Sequence, residues 1–134
     1  MKKSNSIKKN AGVVNKFLKK ELHGNPKQLY DAASHLILHG GKRLRPFLVL
    51  KSCQMLGGKQ SDAIAAASAV EMIHNFTLVH DDIMDNDEMR HGVLTTHKKF
   101  DMPLAILAGD VLYSKAYHTT VSYTHLTLPT ILLV

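Results

Sequence analysis

The stretch Ser61-Asp62-Ala63-Ile64-Ala65-Ala66-Ala67-Ser68-Ala69-Val70-Glu71-Met72-Ile73-His74-Asn75-Phe76-Thr77-Leu78-Val79-His80-Asp81-Asp82-Ile83-Met84-Asp85 decides how this 134-residue chain is read. Alanine is the best helix former, no glycine or proline interrupts the run, and Ser61 or Asp62 can cap its start. A long helix over residues 63–85 is therefore expected. Glu71, His74, Leu78, Asp81 and Asp85 advance in steps of three and four and share one face. Asp81 and Asp85 are one turn apart, while Asp82 points partly aside. Like charges that close repel, and acids at a helix C-terminus oppose its dipole, so the pair calls for a cation. Hard oxygen ligands suit magnesium, which keeps several waters and completes its shell with substrate phosphates. A calcium loop counted from Asp85 fails, because its sixth position is Arg90 where glycine is required.

Helices continue outward from this one. On the N-terminal side, Val13, Val14, Phe17, Leu18 and Leu22 form an apolar stripe over residues 13–23, ended by Gly24-Asn25-Pro26. Asn25 is expected to cap a second helix with Pro26 at its first position, running to His39. Gly40-Gly41 stops it, and a third helix over residues 46–56 ends at Gly57-Gly58. On the C-terminal side, residues 86–96 read as a polar loop and residues 102–118 resume a helical pattern. No strand is expected before residue 119, so the fold class is all-α.

Composition agrees with a soluble globular chain: 45% hydrophobic and 21% charged, which excludes disorder and fibrous repeats. The single cysteine, Cys53, cannot close an internal disulfide, and the lysine-rich start lacks a signal-peptide core, so a cytoplasmic location is expected. No membrane span is expected either, since the longest charge-free run, residues 116–134, is rich in threonine and holds a proline. That same run changes character from Thr119 on, and residues 119–134 read as a non-native tail behind a domain of residues 1–118. The net charge of +6 is unevenly spread. Seven of the seventeen Lys and Arg precede Glu21, and five of the eleven acids fall between Asp81 and Glu88. A basic helical module for nucleic acid is the non-enzymatic alternative, but the lysines lack interleaved aromatics.

Two further motifs bear on chemistry. Gly40-Gly41-Lys42-Arg43-Leu44-Arg45-Pro46 sets three cations behind two glycines. Backbone without a Cβ approaches an anion closely, and Lys42 and Arg45 can bring a point charge and a planar fork to one diphosphate. The spacing is not that of a Walker loop. Asp87-Glu88-Met89-Arg90-His91-Gly92 then places Arg90 just beyond the carboxylates. Metal on one side and cations on the other suit a substrate carrying diphosphates.

In this order and spacing, the three motifs, with Glu71-Met72-Ile73-His74 and Ala108-Gly109-Asp110, resemble the trans-isoprenyl diphosphate synthases, the polyprenyl synthetase family, over residues 13–117. Archaeal-type geranylgeranyl synthases are the nearest pattern, with Phe76 five residues before Asp81. The resemblance implies the N-terminal helices of a helical bundle around an apolar cavity. It implies Mg²⁺-dependent condensation of an allylic prenyl diphosphate with isopentenyl diphosphate, in a homodimer. By position, Asp81, Asp82 and Asp85 would be catalytic, with Asp81 and Asp85 holding the metal. Lys42, Arg43, Arg45, His74, Arg90 and His91 would bind substrate, and Phe76 would set chain length. His91 stands where the family has a second arginine, which ties that anion contact to pH. The family's second aspartate-rich motif is absent, so this chain alone is expected to be inactive and to expose the apolar stripe of residues 63–79. A helical phosphohydrolase ligating through His80-Asp81 is the rival enzyme, but it leaves the 40–46 motif unexplained.

Overall fold

The computed structural model describes residues 2–124, with side chains from Ser6 to Tyr123. The chain runs α1 (Lys2–Glu21), α2 (Lys27–His39), α3 (Leu44–Met55), α4 (Gln60–Met84), β1 (Met89–Arg90), β2 (Val93–Leu94), α5 (Thr96–Lys99) and α6 (Met102–Thr124). The all-α expectation holds, with one small departure at β1 and β2.

The centre of the bundle is α4, packed between α3 and α6 and also touching α1, α2 and α5. A helix surrounded on several sides must be apolar or small on several faces. Ala63, Ala65, Ala67, Ser68 and Ala69 meet that requirement, and all are buried. This narrows the apolar stripe expected in the open over residues 63–79 to its Val70 and Ile73 positions. Only Val70 and Ile73 of that segment are exposed large apolar residues, whereas α3 presents Leu44, Leu48 and Met55, and α6 presents Ile106, Leu107, Tyr113 and Tyr117. Around the alanines, the core is filled by Val14 and Leu18 of α1, Ile37 of α2, Leu50 of α3, Met72 and Val79 of α4, and Leu112 of α6. The α4–α6 seam is tight at one point: a Cβ on Gly109 would lie 2.3 Å from the His80 ring.

Several element ends differ from the sequence reading. Helix α1 begins at Lys2 instead of residue 13, and α2 is entered through Pro26 itself in extended backbone (ψ 136°), with no side-chain cap from Asn25. Helix α3 starts two residues before Pro46, and α4 starts at Gln60, where the Ser61 hydroxyl bonds Asp62 instead of capping. The 86–96 loop is ordered as a hairpin, with Met89 opposite Leu94 and Arg90 opposite Val93, followed by the one-turn α5. His91 and Gly92 both have positive φ, 53° and 81°, as a two-residue turn with the right twist for such a hairpin needs. Helix α6 passes His118 and continues to Thr124, with Thr119 fully buried; residues 125–134 of the tail lie outside the described residues.

Candidate active site

The α2–α3 loop, the middle of α4 and the hairpin turn enclose a cleft of about 600 Å³. Its walls include Lys42, Arg43, Arg45, His74, Leu78 and His91, so five of the six expected substrate contacts meet there, all but Arg90. Both glycines are required by this geometry. A Cβ on Gly40 would come within 2.8 Å of His91 Cβ, and Gly41 has φ of 98°, a conformation costly for any side chain.

Arg43 reaches the cleft as well, but its guanidinium is committed to the fold. The residue caps α3 in the left-handed region (φ 53°) and is 4% exposed. Its Nη1 donates to Glu71 Oε1 at 2.9 Å and to the Gly40 carbonyl at 2.6 Å, its Nε donates to Asn15 Oδ1 at 2.8 Å, and its Nη2 donates to the Ile37 carbonyl. One planar fork thus ties α1, the end of α2 and α4 to the loop, and Lys42 and Arg45, on either side of it, are left exposed. Sequence spacing marked Glu71 as part of the α4 stripe but not as the partner of a cation 28 residues earlier.

His74 lies within 3.1 Å of Arg45, Nε2 to Nη1. An arginine can only donate, so Nε2 is the acceptor and the ring is neutral in this pairing. Burial pushes the His74 pKa below its ordinary 6.5, and Arg45 lowers it further. His74 therefore acts as a neutral acceptor that aims Arg45 at the cleft.

The three aspartates at the end of α4 divide into two kinds. Asp82 is fully buried, and its Oδ1 accepts from Arg90 Nε at 2.6 Å and Nη2 at 2.5 Å. Its Oδ2 has no hydrogen-bond partner among the described residues. Asp87 adds a longer contact to Arg90 at 3.8 Å, and the hydrogen bond that Arg90 donates to Asp82 is the main reason the Arg90 pKa is raised. Arg90 is thus held in place, with about a quarter of its side chain open to solvent. Asp81 and Asp85 are both exposed on adjacent turns, with the Asp85 N–H donating to the Asp81 carbonyl at 2.8 Å. Seven residues separate His74 from Asp81, about 10 Å along the helix, so the carboxylates continue the face that lines the cleft. Among the described residues no three His, Cys, Asp or Glu side chains gather into a cage for a metal ion. Two exposed carboxylates one turn apart match a cation that keeps water and borrows phosphate oxygens, and do not match a structural zinc or calcium site.

The rival His-Asp arrangement is not formed. His80 Nδ1 lies 3.1 Å from the Phe76 carbonyl, and its ring faces Gly109 in the α4–α6 seam. Phe76 is half-buried in the same seam, its ring 4.7 Å from His80 and 5.2 Å from Tyr113, which in turn sits 4.8 Å from Tyr117. No helix among the described residues is long and apolar enough to cross a membrane.

Comparison with known proteins gives a consistent picture. The model of the polyprenyl synthetase family matches residues 26–133. The chain is 53% identical over 115 residues to a geranylgeranyl pyrophosphate synthase of Geoglobus acetivorans, covering 85% of this chain and 36% of that protein. It is 49% identical over 104 residues to a geranylgeranyl diphosphate synthase of Sulfolobus acidocaldarius, covering 78% and 32%. Among solved structures, a geranylgeranyl pyrophosphate synthetase from Pyrococcus horikoshii superposes with a TM-score of 0.86 at 45% identity, over 90% of this chain and 37% of that one. The chain therefore spans about a third of the length of these relatives.

Proposed function

The chain belongs to the polyprenyl synthetase family, and from that premise we propose that it forms the N-terminal part of a short-chain prenyltransferase, one that condenses an allylic diphosphate with isopentenyl diphosphate to give geranylgeranyl diphosphate. One observation carries this reading: a basic cleft and a pair of open carboxylates lie on the same face of α4. Lys42 and Arg45 hold the isopentenyl diphosphate, Arg45 aimed by His74. Arg43 acts indirectly, by fixing the loop that carries them.

Asp81 and Asp85 hold magnesium on the allylic diphosphate, and Asp82 sets Arg90 beside it. Magnesium, when bound, neutralises the diphosphate oxygens and favours their departure. The allylic carbon–oxygen bond breaks, the isopentenyl double bond forms the new carbon–carbon bond, and a proton leaves the isopentenyl unit, taken up by the released diphosphate. The fixed cations need no reorganisation as charge moves onto the leaving group. A cytoplasmic homodimer belongs to the same proposal.

The test is incorporation of labelled isopentenyl diphosphate into an extractable prenyl product by a chain of full family length, with and without an allylic primer. Incorporation that requires primer supports the reading, and phosphate release from a nucleotide with no prenyl product would overturn it. The 134-residue chain alone is expected to incorporate none.

Chain length gives a further expected result. Phe76 stands five residues, about 7.5 Å, below Asp81 and meets Tyr113 across the seam. Replacing Phe76 with Ala opens that floor, and the full-length enzyme should then release longer products by thin-layer chromatography. An unchanged product would remove Phe76 from this role.

A further inference from the structure

The hairpin that carries Arg90 and His91 is fastened to the bundle at a second point, away from the cleft. His35, on the last turns of α2, is 4% exposed and reaches 59 residues along the chain to β2. Its Nε2 lies 2.8 Å from the Leu94 carbonyl, and its Nδ1 lies 3.2 Å from Lys99 Nζ on α5. A carbonyl only accepts and an ammonium only donates, so both contacts fit one form: the neutral ring with its proton on Nε2. Phe100 closes one side edge-on at 5.8 Å. The charged or titratable groups facing the ring are Lys99 from α5 and, from α2 itself, Asp31 and His39, whose ring is 5.0 Å away.

We propose that His35 is a positioning residue, a latch that joins α2 to β2 and α5 and thereby holds the hairpin turn, with His91, against Gly40 at the mouth of the cleft. The proposal rests on the diphosphate reading only for its functional consequence. Protonation of His35 turns a second N–H toward the Lys99 ammonium, which opposes the contact. Burial, the largest cause, lowers the His35 pKa from 6.5; the hydrogen bond to Leu94 opposes it, and Lys99 and His39 add to the lowering. The Lys99 half of the latch is thus complete above pH 6.5 and is lost as pH falls through the lowered value, which loosens α5 from α2 while Nε2 still donates to the Leu94 carbonyl.

Two variants of the 134-residue chain test this. His35→Phe removes both hydrogen bonds, whereas His35→Gln keeps a donor for Leu94 and an acceptor for Lys99 and does not titrate. Hydrogen–deuterium exchange of the 86–96 peptide is read by mass spectrometry, and inorganic pyrophosphate binding by calorimetry, both from pH 7.5 down to 5. In His35→Phe, hairpin protection and pyrophosphate affinity should each fall about tenfold. In His35→Gln both should return to the wild-type level and lose the acid-side decline that protonation of His35 causes. Unchanged hairpin protection in His35→Phe, or a folded His35→Gln that restores none, overturns the latch. If the wild-type chain binds no pyrophosphate, the diphosphate reading fails on its own, and the exchange data still judge the latch.

Discussion

Replacing Arg43 with alanine should destabilise the chain by about 3–5 kcal/mol, the usual cost of removing one partner from a buried ion pair. The guanidinium and the Glu71 carboxylate are 4% and 5% exposed and 2.9 Å apart. With Arg43 gone, Glu71 keeps a charge in the interior, while Asn15 and the carbonyls of Gly40 and Ile37 lose their donor. Against a total stability of about 5–15 kcal/mol, that loss lowers the melting temperature by on the order of 10–20 °C. Urea titration of the 134-residue chain measures it, and a loss below about 1 kcal/mol would mean that the network is not a structural tie. Two controls separate charge from shape. Arg43→Lys keeps the charge but replaces the fork with one ammonium, and should recover only part of the stability. Replacing Arg43 and Glu71 together with apolar residues should cost much less than the single change, because no lone charge remains inside.

That network also marks where sequence reasoning stops. The α4 stripe was legible because helical periodicity places Glu71, His74, Asp81 and Asp85 on one face whatever surrounds them, and the structure puts Glu71 and His74 on the cleft wall. The ends of helices were less so. Residues 2–12 lack a continuous apolar stripe, so nothing in their pattern extends α1 to Lys2. The start of α3 depends on a non-glycine residue in the left-handed region, a conformation that Arg43 adopts because four acceptors drawn from three elements surround it. Pairings 28 residues apart leave no trace in local spacing. The hairpin did leave one: His91-Gly92 between Met89-Arg90 and Val93-Leu94 is a two-residue turn signal, hidden by the short strands and the acidic run before them. His35 and Lys99 could not be paired from sequence, since only the hairpin's return to α2 brings them together.

Asp81 and Asp85 should behave in the opposite way to Arg43, with a large effect on turnover and almost none on stability. Both are exposed at the C-terminal end of α4, where two acids one turn apart repel each other and face the negative end of the helix dipole. Asp81→Asn or Asp85→Asn therefore relieves repulsion and should leave stability within about 0.5 kcal/mol, or raise it slightly. In a chain of full family length, each should lower kcat/KM for condensation by about 10²–10⁴-fold, equivalent to about 3–5 kcal/mol of lost transition-state stabilisation. Calorimetry with magnesium and pyrophosphate together should show the same loss without any condensation. Asp82→Asn is the contrasting change. It removes the buried carboxylate that fixes Arg90, so stability and turnover should fall together. If Asp81→Asn and Asp85→Asn instead unfolded the chain, the pair would be structural. If they left kcat/KM unchanged, the cation would have to be held elsewhere. A fall in activity at constant stability is the outcome that a solvated acidic helix end cannot produce, because such an end loses only its own repulsion when it is neutralised.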